Sequence, residues 1–226
     1  MDMSSGTTPW VLEADGIQLQ LGQRRILSNV YIRVQTGQVV GLMGRNGSGK
    51  SMLLQTIFGA RPVPDASVRV NGAYTVPAYQ RPGLLNYLPQ APLFPDTMTV
   101  VEAAQLLRVD AYAALASFPD LQAQLPQRIG ELSGGTSRLV QVLLLLHADT
   151  RFSLFDEPFS GVMPVHIETL SEAIQKVKTR KGLLITDHRF TELLPLCDVV
   201  YILHNGRLEA LTDPVQGLRD RGYLVN

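Results

Sequence analysis

An apolar strand that runs straight into Gly44-Arg45-Asn46-Gly47-Ser48-Gly49-Lys50-Ser51, with a helical stretch behind it, leaves few folds open to this chain. The segment matches the phosphate-loop pattern of Gly, four residues, then Gly-Lys-Ser/Thr. Successive backbone N–H groups can point inward at phosphate oxygens only where glycines allow unusual φ/ψ and no Cβ intrudes. The helix that begins near Lys50 aims the positive end of its dipole at the same anion. Lys50 is then placed to neutralise the outer phosphates, and Ser51 to offer a hydroxyl to Mg²⁺. An ordinary Gly-rich turn is the alternative, and the strand before the loop and the helix after it argue against that.

The rest of the chain reads as strands alternating with helices. Strands are expected over 11–14, 17–21 and 30–34, separated by Gly16 and by 22–25, and again over 38–43. A helix over 50–58 follows, then a strand over 67–70 closed by the turn dipeptide Asn71-Gly72, and a short apolar run over 84–88. Between 95 and 130 the composition shifts to Ala, Leu and Gln, with helical spacing over 100–107 and 111–117. Beyond it come a helix over 137–147, a strand over 152–155, a helix over 165–179, a strand over 183–186, a helix over 189–194 and a strand over 199–203. Such alternation argues for an α/β fold with a mainly parallel sheet covered on both faces.

Composition narrows the class. A chain of 226 residues with 45% hydrophobic and 18% charged side chains can bury a sizeable core, which excludes a disordered chain. Twenty basic and twenty acidic residues cancel, so nothing in the bulk charge favours nucleic acid or an anionic membrane. The longest aliphatic run, 139–146 with Gln141 inside it, is far below the roughly 20 residues of a membrane span. The start of the chain, from Met1 to Pro9, is polar and lacks the plan of a signal peptide, so a cytoplasmic chain is expected. A single cysteine, Cys197, excludes an internal disulfide framework and a Cys-cluster metal site.

Two further segments carry chemistry. Phe152-Ser153-Leu154-Phe155-Asp156 is an apolar strand ending in a carboxylate, with Glu157 directly after it. A buried strand of this kind delivers Asp156 to the sheet edge where the phosphate loop lies. There Asp156 can hold Mg²⁺ and Glu157 can orient or deprotonate an attacking water. Alone, an Asp-Glu pair after a strand reads as a loop start and a helix cap; the phosphate loop upstream changes that reading. Leu132-Ser133-Gly134-Gly135 ahead of a long helix repeats the anion-binding logic of a hydroxyl, small residues and a helix N-terminus.

Together these elements resemble the nucleotide-binding subunit of ABC (ATP-binding cassette) transporters, over nearly the whole chain. The resemblance implies a P-loop NTPase core with a mainly parallel sheet, an N-terminal antiparallel β-subdomain and a short helical lobe. One ABC ATPase domain would span 10–226, with 10–94 and 131–226 as the nucleotide-binding core and 95–130 as the helical subdomain. It implies ATP and Mg²⁺ as ligands and hydrolysis coupled to transport. Two cassettes would pair head to tail, as a homodimer or a heterodimer, each ATP held by one phosphate loop and the partner's Ser133, Gly134 and Gly135. Gln90, in Tyr87-Leu88-Pro89-Gln90, matches the glutamine that reaches Mg²⁺ and the attacking water. His188, in Thr186-Asp187-His188, matches the histidine that contacts the γ-phosphate. The implied catalytic set is therefore Glu157, His188 and Gln90, and the implied metal set Ser51, Gln90 and Asp156. The chain would sit on the cytoplasmic face of a membrane through a transmembrane permease subunit.

Asp156 to Val162, Leu183 to His188, Cys197-Asp198 and Gly222-Tyr223-Leu224 are similar to the lipopolysaccharide-export ATPase, and branched-chain amino-acid importer ATPases share the likeness. Three positions depart from the family pattern. Leu21 stands where most members place an aromatic residue against adenine, and Tyr31 is a candidate replacement. Met163 stands where the family has an aspartate that couples the two ATP sites, with packing against an apolar neighbour in the partner as one accommodation. Thr136 replaces a glutamine at a position that varies widely. The apolar cluster of Leu93, Phe94, Met98, Val100 and Val101 reads as lobe core, or, through Phe94, as a groove for a helix of the membrane subunit. Two other readings remain open: a soluble cassette serving assembly, repair or translation, and a low-turnover regulatory half of an asymmetric pair.

Overall fold

The computed structural model describes residues 8–64, 66–75 and 77–223. Most of the polar start and Leu224 of the closing motif lie outside the described residues. Strands β1 (Val11–Leu21) and β2 (Arg24–Gln35) form one long antiparallel hairpin. The three short strands expected here are thus two long ones. Gly16, at φ 66°, does not end a strand but absorbs a register shift between Ala14 and Ile17, and Asn29 bends β2 at φ 52°. Leu12, Ala14 and Ile17 face Val34, Ile32 and Val30 in a buried layer, while Tyr31 and Arg33 are exposed.

The central strand β3 (Val39–Met43) is buried at all five positions and leads into α1 (Lys50–Phe58). Strands β4 (Ser67–Val70) and β5 (Ala73–Tyr74) join the hairpin in a four-stranded antiparallel sheet of order β2-β1-β4-β5. Their turn, Asn71-Gly72, holds both residues at positive φ, which suits a tight hairpin.

A second sheet contains β3 together with β6 (Leu85–Leu88), β7 (Phe152–Asp156), β8 (Gly182–Thr186), β9 (Val199–His204) and β10 (Arg207–Ala210). Its order is β10-β9-β3-β8-β7-β6, and every pair is parallel except β9 with β10. Side chains of β3 alternate between two cores. Val40 and Leu42 pack with α1 and the antiparallel sheet; Val39 and Met43 pack towards α5 (Gly134–His147) and α6 (Pro164–Lys178). Covering both faces in this way is why the parallel strands read as unbroken apolar runs.

Helix α5 begins three residues earlier than its apolar pattern suggested, because Ser133 Oγ caps it by accepting from the Thr136 N–H at 3.1 Å. Short helices α2 (Val100–Leu106), α3 (Ala111–Ala114) and α4 (Pro119–Gln122) fill the stretch before it. Thr99 and Glu102 form a capping box on α2. Phe94, Val100, Leu115, Phe118 and Ile129 are buried in the same apolar cluster as the α5 leucines. Phe94 is only 5% exposed, so most of its ring packs in the lobe core, while Leu93, Met98 and Val101 beside it are partly buried. Helices α7 (Phe190–Leu193) and α8 (Pro214–Asp220) close the chain, the second capped by Asp213. Among the described residues no helix is long and apolar enough to cross a membrane.

Candidate functional site

Strand order assembles the site. β3, β8, β7 and β6 are neighbours and parallel, so their C-terminal ends share one edge. From that edge emerge the phosphate loop, the Asp187-His188 corner, Asp156-Glu157 and Gln90, residues far apart in sequence.

The loop conformation requires its glycines. Gly44, Gly47 and Gly49 have φ of 151°, 75° and 108°. A Cβ on Gly44 would come within 2.7 Å of the Leu203 carbonyl, and one on Gly49 within 2.7 Å of Ile26 Cγ2. Lys50 is buried and bends over the loop, donating to the carbonyls of Gly44 (2.8 Å) and Arg45 (3.2 Å). Burial pushes its pKa down, against the pull of Glu157, Asp156 and Asp187. The Ser48 hydroxyl is buried without a hydrogen-bond partner. A cleft of about 420 Å³ opens here, lined by Asn46, Gly47, Gly49, Lys50, Ser51, Met52, Gln90 and Glu157.

Asp156 is 1% exposed. Its carboxylate accepts from Tyr87 Oη at 3.4 Å and Gln90 Nε2 at 3.5 Å. Burial raises its pKa, opposed by the Ser51 hydroxyl. Ser51, Gln90 and Asp156 therefore converge as hard oxygen donors, the donor chemistry that suits Mg²⁺. No group of three His, Cys, Asp or Glu among the described residues could hold a metal alone.

Glu157 lies at φ 57°, a left-handed conformation rare outside glycine. Its N–H donates to the Thr186 carbonyl at 2.6 Å. Its carboxylate lies 3.6 Å from His188 Nδ1. His188, 54% exposed in its side chain, stands behind Glu157 and is not one of the residues lining the cleft. Asp187 is fully buried and accepts from the backbone N–H of Phe159 and of Arg189, each at 2.9 Å, which fixes the corner that carries His188.

Ser133, Gly134 and Gly135 form the start of α5 and do not line the cleft. Ser133 and Gly134 are exposed, while Gly135 packs under Gly161. Leu21 sits at the tip of the β1–β2 hairpin, opposite Arg24 and 44% exposed. Tyr31 cannot replace it. It lies seven residues from Arg24 along β2, about 20 Å at strand rise, and its hydroxyl donates to Glu13 at 2.9 Å. Met163, 52% exposed, occupies the N-cap of α6 without a capping bond.

Three contributors escaped sequence reasoning: Tyr87, Asp187 and Arg138. The last is buried on α5 and donates to the carbonyls of Pro89, Asp156 and Glu157. The one signal for Arg138 was a lone charge heading an otherwise aliphatic helix.

Comparison with known proteins identifies the family and the fold. The ABC transporter family model matches residues 27–160. The lipopolysaccharide export system ATP-binding protein LptB of Acidithiobacillus ferridurans is 31% identical, covering 93% of each chain. LptB of Escherichia coli K12 is 30% identical over 87% of this chain and 88% of its own. A solved ATP-binding subunit of an ABC transporter superposes with a TM-score of 0.80 at 25% identity, covering 94% of each chain. A bacterial Atm1-family ABC exporter with ATP bound shares the fold at a TM-score of 0.83 and 20% identity, over 96% of this chain and 41% of that one.

Proposed function

The chain belongs to the ABC transporter family as an ATP-binding, ATP-hydrolysing subunit, and from that premise we propose how its residues share the work. The phosphate loop, Gly44 to Ser51, binds the phosphates of ATP. Gln90, Asp156 and Ser51 would hold Mg²⁺, which would supply charge neutralisation on the phosphate oxygens. Glu157 orients the attacking water and takes its proton. His188, with Nδ1 3.6 Å from that carboxylate, serves as the contact to the γ-phosphate. The observation that carries this reading is the convergence of Lys50, Ser51, Gln90 and Glu157 on one cleft, with Asp156 bonded to Gln90 beside it.

Ser133 and Gly134 lie exposed and away from this cleft, which supports a site completed by a second cassette. The helical subdomain of 95–130 and a membrane permease subunit complete the proposal, with the chain peripheral on the cytoplasmic face. Leu21 is the nearest counterpart of the adenine platform, and as an aliphatic residue it forgoes stacking of about 1–3 kcal/mol.

Glu157→Gln tests the reading. Nucleotide binding is retained and phosphate release falls by about 10²–10⁴-fold. Wild-type turnover in this variant would remove Glu157 from its role. Light scattering of the same variant, with and without ATP, reads out the second cassette.

A further inference from the structure

The guanidinium of Arg138 is 8% exposed at residue level and sits beneath the catalytic edge of the parallel sheet. Nε donates to the Glu157 carbonyl at 3.2 Å, Nη1 to the Pro89 carbonyl at 2.5 Å, and Nη2 to the Asp156 carbonyl. These three acceptors lie where two strands end: Pro89 just after β6, Asp156 as the last residue of β7 and Glu157 directly after it. The two strands pair through Leu88 and Phe155, so their ends lie side by side and one planar fork can reach both. Burial pulls the pKa of Arg138 down, while the charges of Asp156, Asp187 and Glu157 favour its protonated form.

The peptides it holds are the ones that aim the proposed site. The Pro89 carbonyl precedes Gln90, whose amide reaches Asp156. Glu157 is held at φ 57°, at a cost of about 1–2 kcal/mol for a residue with a Cβ. Such a conformation persists only where neighbours over-determine it. Here the residue is gripped from both sides: its N–H by the Thr186 carbonyl and its own carbonyl by Arg138. Arg138 does not line the cleft, so it cannot act on substrate directly. It also stands one helical turn after Gly134, which ties the start of α5 to the same two strand ends.

We propose that Arg138 is a positioning residue for ATP hydrolysis: its guanidinium clamps the peptides of Pro89, Asp156 and Glu157 into one unit, and so fixes the directions of Gln90 and the Glu157 carboxylate. This rests on the assignment of Glu157 and Gln90 made above. A lysine keeps the charge and most of the stem but cannot span both strand ends with a planar fork.

The test compares Arg138→Lys and Arg138→Gln with the wild-type chain and with Glu157→Gln. Each is followed by steady-state phosphate release, binding of a fluorescent ATP analogue, melting temperature, and amide hydrogen exchange without nucleotide. The expected result is a fall in kcat of about 10- to 100-fold for both Arg138 variants. KM and analogue affinity stay near wild type, and exchange at the Glu157 and Gln90 peptides quickens in the folded protein. Arg138→Lys is the variant that keeps the fold if Arg138→Gln does not. Wild-type kcat in Arg138→Lys overturns the clamp, since charge alone would then suffice. So does a loss of nucleotide affinity in step with kcat, or slowed turnover with unchanged exchange at Glu157. If Glu157→Gln is inactive while Arg138→Lys is normal, the clamp alone fails; if Glu157→Gln turns over normally, the site assignment fails and the clamp with it.

Discussion

Gly134 and Gly135 look interchangeable in the sequence, yet alanine at the two positions is expected to act with opposite sign. A Cβ on Gly135 would stand 1.9 Å from the Gly161 carbonyl oxygen and 2.7 Å from its carbon. Ordinary contact begins at about 3.5 Å, so either the start of α5 or the loop after Phe159 must move by more than 1 Å. Overpacking of this kind typically costs about 1–3 kcal/mol, and backbone on both sides places it at the upper end. For a domain of this size each kcal/mol shifts the midpoint by about 2–4 °C, so Gly135→Ala should melt roughly 5–10 °C below wild type. At Gly134 an added Cβ meets nothing within 4 Å, and the residue is the first of α5. There alanine removes freedom from the unfolded chain and gains about 0.5–1 kcal/mol, a rise of roughly 2 °C. Calorimetric melts of the two variants beside wild type, without nucleotide, measure both shifts. Equal shifts of the same sign, or a Gly135→Ala midpoint within about 1 °C of wild type, would refute the steric reasoning.

The remaining predictions concern charge and capping. Lys181 is 1% exposed, donates to the Leu145 carbonyl and to the Thr150 and Ser153 hydroxyls, and is pushed by burial from 10.5 down to about 7. Between those values the unfolded chain binds the extra proton, so this group's destabilisation is full below pH 7 and relaxes as pH rises; about 2 kcal/mol is regained from pH 7 to 9. Lys181→Met should flatten that rise in denaturant titrations, and parallel profiles for variant and wild type would contradict it. Met163 holds N-cap backbone geometry (φ −63°, ψ 142°) ahead of Pro164 without a side-chain cap. Met163→Asp should therefore raise unfolding free energy by about 1 kcal/mol, and unchanged or lower stability by urea unfolding would count against the capping argument.

What the sequence by itself determined is the part governed by local chemistry. The phosphate loop announced itself through glycines that structure shows at positive φ, and α1 runs over the expected residues because Gly49 and Gly59 bound it. Asn71-Gly72 announced a hairpin for the same reason; Asn205-Gly206, with the same pair of positive φ values, carried the signal for β10 and was missed. Parallel strands declared themselves because both faces are buried and nearly every side chain is apolar.

Only the tertiary structure decided who meets whom. That Gln90, Asp156 and the Asp187-His188 corner share an edge follows from the order β3-β8-β7-β6, a set of non-local pairings. That the Tyr31 hydroxyl is committed to Glu13 on the neighbouring strand is a matter of strand pairing. Arg138, Gly135 and Lys181 matter through neighbours 18 or more residues away: the carbonyls of Asp156, Gly161 and Leu145. A sequence states which groups are available to bond or collide. It states their distances only within a turn or a strand, whereas packing sets the rest.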